Sequence, residues 1–412
     1  MRDHLAASPY IHELVKKLQD SGFTTYIVGG AIRDLMLGRD PKDYDISTSA
    51  TPEEVRAVFG RRRARIIGKR FRLVHVSCGE EIIEVSTFRR SPDSTGQIKN
   101  KARRKPVPEN MIFRDNEFGT PEEDAWRRDF TVNALFYDPV RDDLIDYTGC
   151  GIDDMRAGIV RVIGEPELRF EEDPVRILRA LKLIGQYGFA FDSKTEAAVR
   201  CRGGLIEHAS SSRLSLEIEK ILKNPYCDGI LNAFHEYDFL RYCLPYLEAN
   251  WNSPARTYAM QLLSERNSHI LEGRYRDSIS LAMAVLTLPF VEAEAGFGQH
   301  GRLWEKNYAN SACIRQILRD VFQPHNMIKR LAVSAYNILN MQPDFFNPER
   351  KVGKLLHSHG YEHARELLML QNAVCWQDKK LVQKWPRPLS AEKRLRHRRR
   401  PRNPGNHAKT GN

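Results

Sequence analysis

Apolar residues recur with helical spacing near the start of the chain: Leu5, Ile11, Leu14, Val15 and Leu18 fall on one face of a helix predicted over residues 4–20. The period then changes. Thr24-Thr25-Tyr26-Ile27-Val28 is a β-branched and aromatic run that predicts a buried strand. Gly29-Gly30 turns the chain into a short helix, Ala31–Leu37, which Gly38 ends. Past a proline-containing turn, Asp43-Tyr44-Asp45-Ile46 predicts a second short strand. Side chains alternate along a strand, so Asp43 and Asp45 project from one face and Tyr44 and Ile46 from the other.

Thr51-Pro52-Glu53-Glu54 is a capping box with proline at the first helical position, and its helix runs to about Phe59. Residues 61–76 mix strand formers with seven cations. They read either as an edge strand blunted by charge or as a basic surface. Glu81–Phe88 predicts a strand with Ile82, Glu84, Ser86 and Phe88 on one face. A carboxylate among β-branched neighbours needs a partner, either a local arginine or a bound cation. Residues 89–110 are polar, basic and turn-rich, the composition of a loop. A second capping box, Thr120-Pro121-Glu122-Glu123, starts a predicted helix carrying Asp124, Arg127, Arg128, Asp129 and Asn133, with Asp124–Arg128 as an i,i+4 pair.

In Phe170–Phe189, Asp173-Pro174 is a helix start, and its carboxylate can serve as a plain cap. On the same helix Glu172 and Arg176 are i,i+4 and Asp173 and Arg176 i,i+3, which predicts that the three cluster on one face. Arg213 and Glu217 have the spacing of a structural brace. From 226 to 385 the pattern is helical, as in Pro254–Ser264, Ile279–Leu288 and Ala312–Phe322. His359 and His363 read as surface histidines. Trp385-Pro386 closes the ordered part, and 386–412 is a low-apolar, highly charged segment expected to be disordered when free.

Composition narrows the class. A chain of 412 residues with 41% hydrophobic content can hold two to four domains. No apolar run approaches the roughly eighteen residues of a membrane span, and the first residues lack a signal-peptide core. The seven cysteines are scattered and never spaced C-x-x-C, which argues against a disulfide framework or zinc site and for a reducing cytoplasm. Residues 386–412 hold nine Lys and Arg against one Glu, so +8 of the net +11 sits in that tail. A polyanionic partner is the first inference and a solubilising tail the alternative.

The candidate chemistry lies in Tyr26–Ser47. A glycine pair ahead of a helix leaves backbone N–H groups bare at a positive helix end, which suits a phosphate. Two carboxylates on one strand face repel each other unless a cation lies between them. Beside a triphosphate, oxygen-loving Mg²⁺ is the natural candidate.

GGAIRDLMLGRDPKDYDIS resembles the nucleotidyltransferase motif of bacterial poly(A) polymerases and tRNA CCA-adding enzymes, the class II branch of the polymerase-β superfamily. RRDFTVNALFY, the EDPVRILRA of residues 172–180 and SSRLSLEIEKIL resemble further motifs of that family. DYTGCG (146–151) is similar to its hinge, although two glycines around Cys150 equally make a plain turn. IIGKRFRLVHV resembles the signature that separates poly(A) polymerases from CCA-adding enzymes.

The resemblance implies an α+β chain. A nucleotidyltransferase head (1–150) with a small mixed sheet flanked by helices would be followed by an all-helical neck (151–225), a helical RNA-binding body (226–385) and the disordered basic tail (386–412). Asp43 and Asp45 would bridge two Mg²⁺ ions (or Mn²⁺) about 3.5–4 Å apart, with Glu84 as third ligand or general base. Gly29, Gly30, Arg33 and Arg128 would hold the triphosphate of ATP, with Asp129 and Asn133 completing the nucleotide site. Asp173 and Arg176 would read the base edge.

The implied reaction is template-independent transfer of AMP from ATP to RNA 3′ ends in the cytoplasm, with release of pyrophosphate. Messenger RNAs, small RNAs and decay intermediates are the implied substrates, and RNA chaperones or decay proteins the implied partners. The alternative is a CCA-adding tRNA nucleotidyltransferase, which would use the same carboxylates and helix. A third reading, a non-catalytic RNA-binding protein on a decayed nucleotidyltransferase fold, is opposed by the intact Asp43 and Asp45.

Overall fold

The computed structural model describes residues 9–68, 72–79, 81–90, 117–296, 308–325, 327–346 and 355–385. Leu5, residues 69–71 of the basic stretch, most of the loop expected over 89–110 and the tail 386–412 lie outside the described residues. The chain divides into two compact units, one from Met1–Ile221 with Tyr226–Pro245 and one from Leu222–Pro225 with Tyr246–Asn412.

The first unit is built on a seven-stranded mixed sheet. Its opening helix, Pro9–Asp20, buries the predicted stripe Ile11, Leu14, Val15 and Leu18 and packs against β1 (Thr25–Val28). A short helix, Gly30–Met36, leads to β2 (Asp45–Thr48). Pro52–Phe59 follows as a helix with both hydrogen bonds of the capping box in place. Next come β3 (Ala64–Ile67), β4 (Leu73–Cys78), β5 (Glu81–Thr87) and two short strands, β6 (Arg89–Arg90) and β7 (Glu117–Phe118), that pair with each other. The second capping-box helix, Pro121–Trp126, precedes β8 (Leu135–Asp138) and β9 (Asp143–Asp146).

The strand order is β3-β4-β5-β2-β1-β8-β9. β2 and β5 are parallel and the other five pairings antiparallel. Residues directly opposite one another share a face of a sheet. One row therefore crosses it as Ile145, Phe136, Val28, Asp45, Glu84, His75 and Arg65. Its near end is apolar. Val28, Phe88, Ala125 and Phe136 form a buried cluster against which Tyr26, Ile145 and Tyr147 pack, and Phe136 meets Tyr26 and Tyr147 edge-on. The acids Asp45 and Glu84 lie in the middle of the row, and His75 and Arg65 end it.

Two predicted elements are corrected. The second strand starts at Asp45, not Asp43, because Val28–Asp45 is the last pair before Gly29 (φ 76°) turns β1 away. The helix after Thr120 ends at Trp126 and does not carry Arg127 to Asn133. Phe130 is extended (φ −131°, ψ 148°) and bridges to Val162, and Thr131–Asn133 forms one 3₁₀ turn.

Helices complete this unit: Gly151–Ala157, Pro166–Glu172, Val175–Tyr187, Ser193–Arg202, Ser211–Lys223 and Cys227–Glu236. β10 (Ile159–Val160) and β11 (Ala190–Phe191) form a small parallel pair. Val175–Tyr187 and Cys227–Glu236 pack at glycines. A Cβ on Gly185 would stand 2.4 Å from the Ile230 Cα, and one on Gly229 equally close to the Gly185 carbonyl oxygen, so only hydrogen fits at this crossing.

The second unit is helical among its described residues. Ile279–Glu294 is buried on every side from Ser280 to Glu292, as expected of a central helix. Pro254–Leu271, Tyr308–Phe322, Lys329–Asn340 and Tyr361–Gln371 follow the expected helical pattern. Trp385 is fully buried. It stacks edge-on against Phe345, donates from Nε1 to the Phe345 carbonyl and accepts from Arg365 Nε through its own carbonyl. His359 is exposed, and His363 pairs with Glu366 at 2.8 Å. Among the described residues no helix is long and apolar enough to cross a membrane.

Candidate active site

The glycine turn between β1 and helix Gly30–Met36 brings three sequence-distant groups together. A Cβ on Gly29 would lie 3.3 Å from Arg128 Nη1 and 4.0 Å from Asp45 Oδ2. The backbone there has a positive φ of 76°, which is what requires glycine. Asp45 opens β2 opposite Val28 on one side and Glu84 on the other.

Asp45 is solvent-accessible yet crowded. Desolvation first, then Glu84 and Asp43, push its pKa above the ordinary 3.8, and Arg128 opposes them. Asp45 therefore feels two other acids against the single guanidinium of Arg128, which is itself paired with Asp124. Glu84 is half-exposed, its carboxylate 3.7 Å from His75 Nε2. Among the described residues, no three His, Cys, Asp or Glu side chains converge closely enough to cage an ion.

Arg128 stands over Phe136 and donates from Nη2 to Asp124 at 2.8 Å. Asp124 is itself buried and also accepts the Arg89 amide. The Arg128 Nη1, the atom beside Gly29, donates to the Asn133 carbonyl at 3.4 Å, and its Nε is buried without a hydrogen-bond partner. Arg33 is different. It donates to Asn133 Oδ1 (2.7 Å), Tyr187 Oη (2.7 Å) and Asp34 Oδ1 (3.0 Å), and it stacks on the Tyr187 ring. Tyr187 Oη in turn donates to Asp34, and Arg39 covers the same ring. Arg33 thus lies next to Gly30 but spends its donors on the protein.

Asp129 accepts from the Phe130 amide and from Asn133 Nδ2 through Oδ1, and pairs with Arg179 through Oδ2 at 3.2 Å. Burial would raise its pKa. Arg179, the Asn133 hydrogen bond, Arg176 and the Phe130 amide together bring it below 3.8. An amide has two N–H groups and two acceptor positions, so Asn133 keeps one of each for a ligand.

The expected clustering of Glu172, Asp173 and Arg176 on one helical face is not what forms. Asp173 lies outside the helix, with φ −149° and ψ 93°. Its Oδ2 takes Arg179 and Arg213, while Arg176 turns inward to Glu172 Oε2 and the Arg169 carbonyl. The Arg213–Glu217 brace is likewise replaced: Arg213 goes to Asp173 and Glu217 to Lys220. At Asp146–Gly151, the Asp146 carboxylate accepts from the Thr148, Gly149 and Ile152 amides, a wound turn that starts the next helix.

Comparison with known proteins identifies this arrangement. Residues 25–161 match the poly A polymerase head domain, and 188–250 match the model described as the probable RNA and SrmB-binding site of polymerase A. An Escherichia coli poly(A) polymerase I is 32% identical over 367 residues, which cover 88% of this chain and 78% of the relative. The chain belongs to the poly(A) polymerase family of class II nucleotidyltransferases. Within that family it is an enzyme of nucleotidyl transfer. Haemophilus influenzae poly(A) polymerase I is 39% identical over 250 residues (61% of this chain, 54% of the relative). The CCA-adding enzyme of Geobacillus stearothermophilus is 37% identical over 223 residues (54% and 51%). Among solved structures, the Bacillus stearothermophilus CCA-adding enzyme in complex with CTP matches with a TM-score of 0.62 at 26% identity, over 91% of this chain and 81% of that one. The poly(A) polymerase relatives and the CCA-adding structure thus share one head architecture, and fold alone does not separate their activities.

Proposed function

We propose that this nucleotidyltransferase adds AMP from ATP to RNA 3′ ends without a template, in the cytoplasm. The observation that carries the choice is the extent of the match: alignment to poly(A) polymerase I runs over 88% of the chain, whereas the CCA-adding relative aligns over 54%. The basic stretch ending in Leu73-Val74-His75-Val76 supports the same side.

Asp43 and Asp45, with Glu84 as a third candidate, are the residues that would hold Mg²⁺. The donor set fits. Three acids press on one another at Asp45, and Mg²⁺ is usually held by one or two carboxylates plus substrate phosphate oxygens and water, not by an all-protein cage. Two bound ions would supply activation of the RNA 3′-hydroxyl and neutralisation of the pyrophosphate that leaves.

The chain's own part is positional, as phosphoryl-type transfer requires. Gly29 and Gly30 open the turn for the triphosphate, and Arg128 brings its Nη1 beside Gly29 to meet it. Arg33 acts at one remove, holding Asn133, which keeps hydrogen-bonding capacity for the ribose. Asp173 and Arg176 would read the base edge.

Incubation with Mg²⁺ of a tailless RNA with ATP, and of a tRNA trimmed short of CCA with CTP, tests the assignment. Long AMP tails on the first substrate are expected. Rapid CMP addition to the second would replace this reading by the CCA-adding one, which the 26% identity and 0.62 TM-score to the CTP-bound structure favour.

A further inference from the structure

Past helix Gly30–Met36 the chain turns at Gly38 (φ 68°), and Arg39 closes back on the helix, its amide donating to the Asp34 carbonyl at 2.8 Å. Residues 40–44 then form neither helix nor strand before β2, and Asp43 is exposed among them. A segment without a ladder of its own takes its place from its two ends. The far end is fixed by the Val28–Asp45 pair. At the near end the Arg39 guanidinium lies 4.8 Å from the Tyr187 ring centre and 5.1 Å from that of Tyr226, both within cation–π reach. Arg33 shares the Tyr187 ring but also pairs with Asp34, whereas Arg39 has no carboxylate partner among the described residues. The two rings are themselves set. Tyr187 is close in sequence to Gly185 and Tyr226 to Gly229, the glycines at which helices Val175–Tyr187 and Cys227–Glu236 meet with no room for a Cβ.

We infer that Arg39 is a positioning residue for nucleotidyl transfer: held on Tyr187 and Tyr226, it anchors the segment 40–44 and so sets where the Asp43 carboxylate stands relative to Asp45. This deepens the proposed function and rests on Asp43 holding Mg²⁺. A guanidinium suits the task because its delocalised plane stacks on a ring, while a lysine keeps the charge but only as a point, and with it part of the hold. An arginine that served only the fold would, when lost, lower activity alike at every metal concentration. A displaced Asp43 raises the demand for the metal.

The test takes full-length wild type, Arg39→Lys, Arg39→Gln and Tyr226→Leu on one RNA primer with saturating ATP and titrates Mg²⁺. Mn²⁺ binding to each protein is measured alongside, by electron paramagnetic resonance with a non-hydrolysable ATP analogue. Expected in Arg39→Gln is a rise of about tenfold in both the half-saturating Mg²⁺ and the Mn²⁺ Kd, with kcat at saturating Mg²⁺ within about threefold of wild type. Tyr226→Leu should move the same way, and Arg39→Lys should lie between. In Asp43→Asn the change at 39 should raise the metal demand no further. A fall in kcat alike at every Mg²⁺ concentration with Mn²⁺ affinity unmoved, or losses that multiply in the double variant, would overturn the proposal. So would a rise confined to the KM for ATP or RNA, which would make Arg39 a substrate contact. Wild-type metal demand in Asp43→Asn would remove the reading of Asp43 and this proposal with it. Should wild type prefer CTP on trimmed tRNA, the polyadenylation reading fails separately, and Arg39 is judged by the same titration with CTP.

Discussion

Asp45 and Asp129 are both acids of one folded unit, and they are held in opposite ways. Asp129 is enclosed by Arg179, Asn133 and the Phe130 amide, and its charge is stabilised. Asp45 faces Glu84 and Asp43 with only Arg128 in opposition, and its charge is resisted. The difference separates a charge that its neighbours stabilise from one that they oppose. A paired carboxylate has little left to offer a substrate. An unsettled one beside a glycine turn gains from any cation brought to it.

The sharpest break in that comparison is chemical. Asp45→Asn should cut nucleotide incorporation on the order of a thousandfold or more, while its thermal midpoint stays level or rises because a repelled charge has gone. Loss of activity together with loss of folding would make Asp45 a structural acid like Asp129. Asp129→Asn should do the reverse first. It takes from Arg179 one of its two carboxylate partners, with Asp173 remaining, and urea unfolding should show a loss of about 3 kcal/mol, at the lower end of the range for breaking a buried pair.

Acid titration of stability sharpens the contrast, since the two carboxylates carry opposite signs. For Asp129 the folded pKa is depressed, so its contribution is present above about pH 3.8 and lost as pH falls through the folded value. For Asp45 the folded pKa is raised, so its contribution is full below 3.8 and lost as pH rises through the folded value. Comparing Tm against pH for each Asn variant with wild type should give difference curves of opposite slope. Mg²⁺ with ATP should flatten or reverse the Asp45 curve and leave that of Asp129 unmoved. The smallest effect is expected from Tyr187→Phe, which keeps the ring under Arg33 and Arg39 but removes the hydroxyl between Arg33 and Asp34. A stability loss of about 1–2 kcal/mol by denaturant melt, with little change in nucleotide choice, is the expected outcome.

Local chemistry was the readable part of this chain. Both capping boxes, the opening amphipathic helix and the glycine turn could be read because each depends on residues within one or two turns of each other. Asp43 and Asp45 were read as a pair from alternation along one strand, but β2 starts only at Asp45 and Asp43 precedes it. What stayed hidden depends on where distant segments meet. The closeness of Glu84 to Asp45 comes from parallel pairing of β2 and β5, and nothing in either strand specifies that partner. Helical arithmetic put Arg176 beside Asp173. It failed because Asp173 precedes the helix in an extended conformation, so the three-residue spacing no longer marks a shared face. Arg179 was passed over, although its two carboxylate partners make it the better connected of the two. Tyr187 carried no signal: an aromatic residue before a helix-ending glycine is ordinary until its hydroxyl is seen against Asp34.

Because β2 and β5 run side by side in the same direction, the chain between them must travel back across the domain, and the pairing does not meter how long that return path is. Residues can be added to the connecting turns without disturbing the Asp45–Glu84 match. One residue added after Asp45 would turn every following side chain of β2 over, carrying Ile46 out of the packed layer and breaking the register with β5. Variants of this domain that differ in length should therefore carry their insertions in the return path, with the four residues of β2 kept as a fixed gauge block.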